Sequence, residues 1–272
     1  MVDLIVPMTA PSSLPALASL TALSDPATFA AHAGALALLR AVRRALAERL
    51  AGQVPAAIDL ATLAAADRAL LDQWLGEGEV AAQVRAAPDG EVGLQAQESV
   101  FAGVWRVRHT TESGRRVRDS IEVGPVPQGL LDAAQRDAAT LPSPAGPIPA
   151  DLMNAPAVLE ELRDRSRTWR IGDPAHVVNL TLLPLSAGDA IHLDTQLGIG
   201  RVAILSRGYA HCRVVNTRLP RTWRVTYFNA SERVILDTLE VAGVPEVACA
   251  APQDLEDSAE RLDELLVWAE AS

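Results

Sequence analysis

The sequence contains no lysine: all 24 of its basic residues are arginine. That absence removes the phosphate-loop lysine, Schiff-base chemistry and a lysine general base together. Basic residues are outnumbered by 34 acidic ones, for a net charge of −10, so the chain lacks the basic footprint of a nucleic-acid binder. Cysteine is scarce. Two thiols, Cys212 and Cys249, make no disulfide framework and point to a reducing compartment. Aromatic residues are only 4% of the total, so alanine and aliphatic side chains must fill the core. No apolar run approaches the roughly 18 residues of a membrane span. The opening "MVDLIVPMTAPSSLPALASLTALS" has no basic start and is broken by Pro7, Pro11 and Pro15, which makes it a poor signal peptide. The expectation is a cytoplasmic protein without membrane insertion.

What is present is a 272-residue chain, 49% hydrophobic, able to bury a sizeable core and comfortable as two domains. Residues 1–27 form a Pro/Ser/Ala-rich lead-in. In "ALALLRAVRRALAERLAG", Leu36, Leu39, Ala45, Leu46 and Leu50 fall near one helical face, and Gly52 supplies a stop. A second helix is expected from about Leu63 to Leu75. Four strand-like runs follow, with turns at Asp89-Gly90 and Glu112-Ser113-Gly114. A short helix near 127–138 closes the unit. The stretch 139–156, "ATLPSPAGPIPADLMNAP", carries five prolines and reads as a linker. Beyond it the order recurs: a helix near 157–167, an apolar run at 176–184, a helix to about Leu197, and four more strand-like runs.

The two halves share residues as well as order. "DRALLDQWLGEGEV" (67–80) and "DAIHLDTQLGIGRV" (189–202) match at Asp, Leu-Asp, Leu-Gly, Gly and Val. Trp105-Arg106-Val107 matches Trp223-Arg224-Val225, and "DSIEVGPVP" (119–127) matches "DTLEVAGVP" (237–245). The expected fold is therefore α+β: two tandem related copies, residues 28–138 and 157–272, each a roughly four-stranded antiparallel meander flanked by helices. Gly76-Glu77-Gly78 is not a dinucleotide loop. Its third glycine position holds Ala81, and the helix precedes the strand instead of following it. Gly76 and Gly198 read as helix C-terminal residues, where positive φ carries no strain.

Residues in both copies serve the shared fold on the simplest reading. Trp105 and Trp223 are expected in the core, and Arg106/Asp119 and Arg224/Asp237 as cross-strand ion pairs. Residues in one copy only are better functional candidates. The second half has His211-Cys212, Tyr227-Phe228-Asn229 and Cys249. A metal site built from His192, His211, Cys212 and Cys249 would need a ligand spacing that the sequence lacks, and residues 211 and 212 of a strand point to opposite faces. No Gly-x-Ser-x-Gly elbow and no cysteine in an electropositive setting is found. The last helix, "PQDLEDSAERLDELLVWAEA", has a leucine stripe between acidic shoulders, with Pro252 in its first turn. Chemistry alone points to a binding protein with no catalytic residues, no resident metal and no cofactor.

The run 221–262, "RTWRVTYFNASERVILDTLEVAGVPEVACAAPQDLEDSAERL", resembles the HupH/HyaF (HoxQ) family of NiFe-hydrogenase expression/formation proteins. "LGEGEV" and "QESVFAGVWRV" in the first half resemble the same family's first conserved segment. The resemblance covers roughly residues 60–265. It implies an accessory protein for maturation of an uptake NiFe hydrogenase. Such a protein would act as a cytoplasmic chaperone for the iron–sulfur small subunit precursor, with a thioredoxin-like maturation protein as companion, before twin-arginine export. An acidic chain suits a basic leader. The expected partner-binding residues lie in the second half: Trp223 where exposed, Tyr227, Asn229, His211, Cys212 and Glu246, together with the acidic last helix. The alternative is a protein that handles iron or an iron–sulfur cluster for the same subunit through Cys212, Cys249 and nearby histidines.

Overall fold

The aliphatic repeat of residues 33–50 becomes helix α1 (Ala33–Leu50), which buries Ala35, Leu38, Leu39, Val42, Ala45 and Leu46 at helical spacing. Leu50, expected on that face, is instead exposed as the helix's last residue. The computed structural model describes residues 32–87, 91–111, 113–138, 152–208 and 211–270. The lead-in, the Asp89-Gly90 turn and residues 139–151 of the proline-rich stretch lie outside the described residues.

After α1 come β1 (Ile58–Asp59), α2 (Ala65–Leu75), β2 (Val80–Val84), β3 (Gly93–Glu98), β4 (Val104–Thr110), β5 (Arg116–Val123) and α3 (Gln128–Ala138). The second half runs α4 (Ala155–Thr168), β6 (His176–Asn179), a 3-10 turn (Leu180–Leu182), α5 (Ala187–Leu197), β7 (Val202–Ser206), β8 (Cys212–Asn216), β9 (Thr222–Phe228) and β10 (Val234–Val241). A 3-10 turn at Glu246–Ala248 and α6 (Pro252–Glu270) finish the chain. Gly76 and Gly198 end α2 and α5 with φ of +54° and +62°. Their N–H groups donate to the Asp72 and Asp194 carbonyls at 3.1 and 3.0 Å. Glycine is the residue that holds such a turn without a Cβ penalty.

The fold is α+β, but the two meanders do not form separate sheets. All strands among the described residues lie in one ten-stranded sheet, ordered β1-β5-β4-β3-β2-β7-β8-β9-β10-β6. That order reads alike from either edge: a short strand, then the fourth, third, second and first strands of a meander. The join is the antiparallel pair β2–β7, in which Val80–Val84 face Ser206–Val202. Each four-stranded meander thus gains a short fifth strand, β1 beside β5 and β6 beside β10.

Strand alternation gives the sheet two buried faces. On one face, α1, α2 and α6 cover Val104 and Ile121 of the first half. On the same face, α4 and α5 cover Val178, Leu239 and Val241 of the second. The opposite face carries Leu94, Val107, Val202, Ile204, Val214 and Val225 beneath Leu130 and Ala133 of α3. Trp105 and Trp223 lie in that layer, and their indole N–H groups donate to the Gly124 carbonyl at 2.9 Å and the Gly243 carbonyl at 3.1 Å. Each large apolar ring is buried with its single donor satisfied.

The halves also interlock through helices. Leu255, Leu262, Leu265 and Leu266 of α6 complete the first-half core. Ser258 Oγ and Arg261 Nη1 of α6 donate to the Ala102 and Val100 carbonyls, both at 3.0 Å. Asp137 of α3 reaches the other way: it accepts from the backbone N–H of Arg201 at 2.6 Å, from Arg201 Nε at 2.7 Å and from Asn216 Nδ2 at 3.0 Å.

Candidate functional site

Two arginines on the face shared by α2 and α5 each fork onto an aspartate of the neighbouring strand. Arg106 of β4 donates Nε and Nη2 to Asp119 of β5 at 2.5 and 2.9 Å, and Nη1 to Asp72 of α2. Arg224 of β9 donates Nε and Nη2 to Asp237 of β10 at 3.0 and 2.6 Å, and Nη1 to Asp194 of α5 at 2.6 Å. A planar guanidinium suits this two-sided grip, because its donors form a rigid fork.

The surroundings of the two forks differ. Arg68 Nη1 and Arg116 Nη1 also donate to Asp119, at 2.7 and 3.2 Å, and Arg108 Nε lies 4.0 Å away. Burial alone would raise the Asp119 carboxyl; Arg106, then Arg108 and Arg116, outweigh it and hold the carboxyl below its usual value. The side chains of Arg106 and Asp119 are sealed at 8% and 6% exposure. Those of Arg224 and Asp237 retain 37% and 19%. The second fork forms part of the wall of an open cavity of 530 Å³, between α5, the 180–185 segment and β7–β10. Leu180, Leu193, Leu197 and Val215 supply apolar wall, and Asp194, Arg224 and Asp237 a charged patch. The volume lies within the range of about 300–1,000 Å³ usual for ligand pockets.

The residues expected to bind a partner do not converge. Trp223 and Cys212 are core residues, at 2% and 0% exposure, and neither presents its side chain at a surface. Strand alternation puts both on the sheet face that packs beneath α3. Tyr227 pairs with Cys212 across β8–β9 and packs against the same core. Burial, aided by the nearby Glu240 and Cys212, raises its phenol. Asn229 builds a turn: its Oδ1 accepts from the backbone N–H groups of Ser231 and Arg233 at 2.9 and 3.0 Å. His211 lies 3.5 Å from Glu232, and its ring is 5.7 Å from that of Phe228. Glu246 is exposed in the last 3-10 turn.

Cys212 and Cys249 also lack the setting of metal ligands. Burial pushes both thiols up to about 11, with smaller contributions from Glu240 at Cys212 and Glu246 at Cys249. Both thiols are therefore protonated at neutral pH when no metal is beside them. Among the described residues no three His, Cys, Asp or Glu side chains are grouped to hold an ion. Nor is any described helix long and apolar enough to cross a membrane.

The family model "HupH hydrogenase expression protein, C-terminal conserved region" matches residues 32–140 and again residues 152–269. The chain belongs to this family. It is 46% identical to the hydrogenase expression/formation protein HoxQ of Cupriavidus necator, over 90% of this chain and 85% of that one. It is 44% identical to the hydrogenase expression/formation protein HupH of Rhizobium leguminosarum bv. viciae, over 84% and 79%. The hydrogenase-1 operon protein HyaF of Escherichia coli is 35% identical over 87% and 82%. A solved structure, the hydrogenase expression protein HupH of Thiobacillus denitrificans, aligns with 42% of this chain and 95% of its own at 26% identity and a TM-score of 0.39.

Recurrence in both halves assigns Arg224 and Asp237 to the scaffold of this HupH-family chain, yet both help to line the cavity. Their recurrence was legible. What could have shown the difference is the company each pair keeps: arginines around Asp119, small or apolar residues around Asp237.

Proposed function

We propose that this protein is a non-enzymatic maturation chaperone for an uptake NiFe hydrogenase. It binds the iron–sulfur small subunit precursor in the cytoplasm before twin-arginine export, together with a thioredoxin-like maturation protein. The observation that carries the reading is the second-half cavity with its apolar rim. Ile199 and Val234 line it while more than half exposed, and Leu182 and Ile191, also more than half exposed, follow the wall residues Thr181 and Ala190 in the chain. Exposed aliphatic side chains clustered at an opening are the usual mark of a surface that is covered by a partner. The family and the names of the relatives direct the choice of client. His211, Phe228 and Arg213, which sits 6.0 Å over the Phe228 ring, extend this surface along β8–β9.

The same reading treats residues 28–138 and 157–272 as copies of one unit, joined by 139–156. Support comes from the matched strand order and the two forks. In this account the first copy kept its fork as scaffold while the second opened into a binding site.

The test is affinity capture of the tagged protein from a host making the hydrogenase, read with antibody to the small subunit. Recovery of the precursor with its leader intact is the expected result. Failure to recover any hydrogenase component would overturn the proposal. The cluster-handling reading gains nothing from Cys212 or Cys249, given the interior position of the first and the raised thiols of both.

A further inference from the structure

The two forks differ by three residues, and all three differences fall on the cavity wall. Arg68 lies eight residues before the helix-ending Gly76; eight residues before Gly198 stands Ala190. Arg108 is the cross-strand partner of Asp119; the partner of Asp237 is Thr226. Arg116 precedes Asp119 by three residues, opposite Thr110; Val234 precedes Asp237 by three, opposite Phe228. Ala190, Thr226 and Val234 all line the cavity. Three guanidinium side chains stand around Asp119 in the first half, and three short side chains line the cavity beside Asp237 in the second.

The exchange also changes the charge. Around Asp119, two carboxylates face Arg106, Arg68, Arg116 and Arg108. Around Asp237, two carboxylates face Arg224 among the described residues. Thr226 adds one contact, its Oγ1 lying 3.4 Å from Asp237 Oδ1. The other arginines of the wall pair with neither Asp194 nor Asp237 among the described residues. Arg201 pairs with Asp137 and Glu91 at 2.7 and 2.6 Å, Arg85 donates to the Gly200 carbonyl at 3.2 Å, and Arg213 lies over Phe228. Beside Asp194 and Asp237 the place that Arg68 holds in the first half is taken by Ala190, and Arg224 is the one arginine paired there among the described residues. Arg68 shows which group fits there: its Nη1 donates to Asp119 at 2.7 Å, while Nη2 donates to the Leu60 carbonyl.

We infer that the second-half cavity accepts an arginine side chain from a bound polypeptide segment, its guanidinium standing beside Asp237 and Asp194 as Arg68 stands beside Asp119. Apolar neighbours of that arginine rest on Ile199 and Val234. The segment is not supplied by the undescribed parts of this chain at either end of the first half, because residues 1–31 and 139–151 contain no arginine or lysine. The inference names the chemistry of the segment bound, and rests on the preceding reading only for the identity of the protein that carries it.

The probe is a fluorescein-labelled nonapeptide with a central arginine between leucine pairs, compared by anisotropy titration with its citrulline counterpart, which keeps the shape and loses the charge. The full-length protein should bind the arginine peptide at least about tenfold more tightly, as befits a charge-assisted hydrogen bond to a carboxylate. Ala190→Arg, and separately Val234→Arg, rebuild the first-half arrangement and should abolish that preference without lowering Tm. Equal binding of the two peptides, no binding of either, or undiminished preference in both folded variants would overturn the inference. Precursor capture separates it from the broader proposal. If Ala190→Arg still captures the hydrogenase small subunit as well as the parent does, the arginine site falls and the chaperone reading stands. If the peptide preference holds while the parent captures no hydrogenase component, the site stands and the chaperone reading falls.

Discussion

Arg68 and Ala190 occupy the same place before two helix-ending glycines, and that difference is one of three that separate the arginine-rich cluster around Asp119 from the open one around Asp237. Arg68 bridges Asp119 and the Leu60 carbonyl across the first-half core. Ala190 is part of a cavity wall.

The forks should accordingly differ in what they contribute to stability. Removing Arg106 takes both fork donors from Asp119, whose side chain is 6% exposed, at a cost of about 3 kcal/mol, the low end for a broken buried pair because Arg68 and Arg116 still donate to it. Removing Arg224 leaves carboxylates that water reaches, and should cost about 1 kcal/mol or less. Urea unfolding of Arg106→Ala and Arg224→Ala measures both. Equal losses would contradict the sealed-versus-open distinction.

Glu98 gives a pH signature. It is 6% exposed, and burial raises its carboxyl to about 7 against an acceptor contact from the Gly103 N–H at 2.9 Å. A carboxyl whose folded value is raised above its unfolded value, about 4.3, binds its proton more tightly when folded. Its contribution is present in full below the unfolded value and is lost as pH rises through 7. Glu98→Gln keeps an acceptor and removes the charge. It should flatten the fall in stability between about pH 4.3 and 7 and raise stability at pH 8 by on the order of 1–3 kcal/mol. A parent and variant with parallel pH profiles would refute this.

The thiols should be slow. With both raised to about 11, neither Cys212 nor Cys249 should react with a disulfide reagent at pH 8 at the rate of the urea-unfolded chain. Cys212, fully buried, should be slower than the partly exposed Cys249. Rapid modification of Cys212 in the folded protein would show that the sheet face beneath α3 opens.

The turn and the cavity rim should respond in opposite ways. Asn229→Ala removes the acceptor of two backbone N–H groups and should lower stability by about 1 kcal/mol while leaving precursor capture intact. Ile199→Asp changes an exposed residue, so stability should stay within about 0.5 kcal/mol while capture falls. If Asn229→Ala abolished capture at unchanged stability, the contact surface would lie at the β9–β10 turn and not at the cavity.

Much of the fold was legible because its signals are local. Leu39, Ala45 and Leu46 repeat at helical spacing, Gly76 and Gly198 mark helix ends, and the alternation of Trp105, Val107 and His109 fixes one face of a strand. The binding residues were harder. Trp223, Tyr227 and Cys212 drew notice by their chemistry, yet the face they share is the one that α3 covers. Asn229 is a polar residue found in one copy only, and its amide holds a turn.

The sequence by itself determined the family, the α+β class and the approximate bounds of most elements, since periodicity, turn residues and the Trp-Arg-Val strings act over a few residues at a time. Only the tertiary structure decided that both meanders share one sheet. The β2–β7 pair is made by backbone N–H and carbonyl groups that nearly every residue carries, so Val80–Val84 and Val202–Ser206 bear no mark of their pairing. The cavity is hidden for a related reason. Arg68 is far from Arg108 and Arg116 in sequence, and the three meet only because α2, β4 and β5 bring them to Asp119. Until that meeting place is known, their replacement by Ala190, Thr226 and Val234 is three unremarked differences.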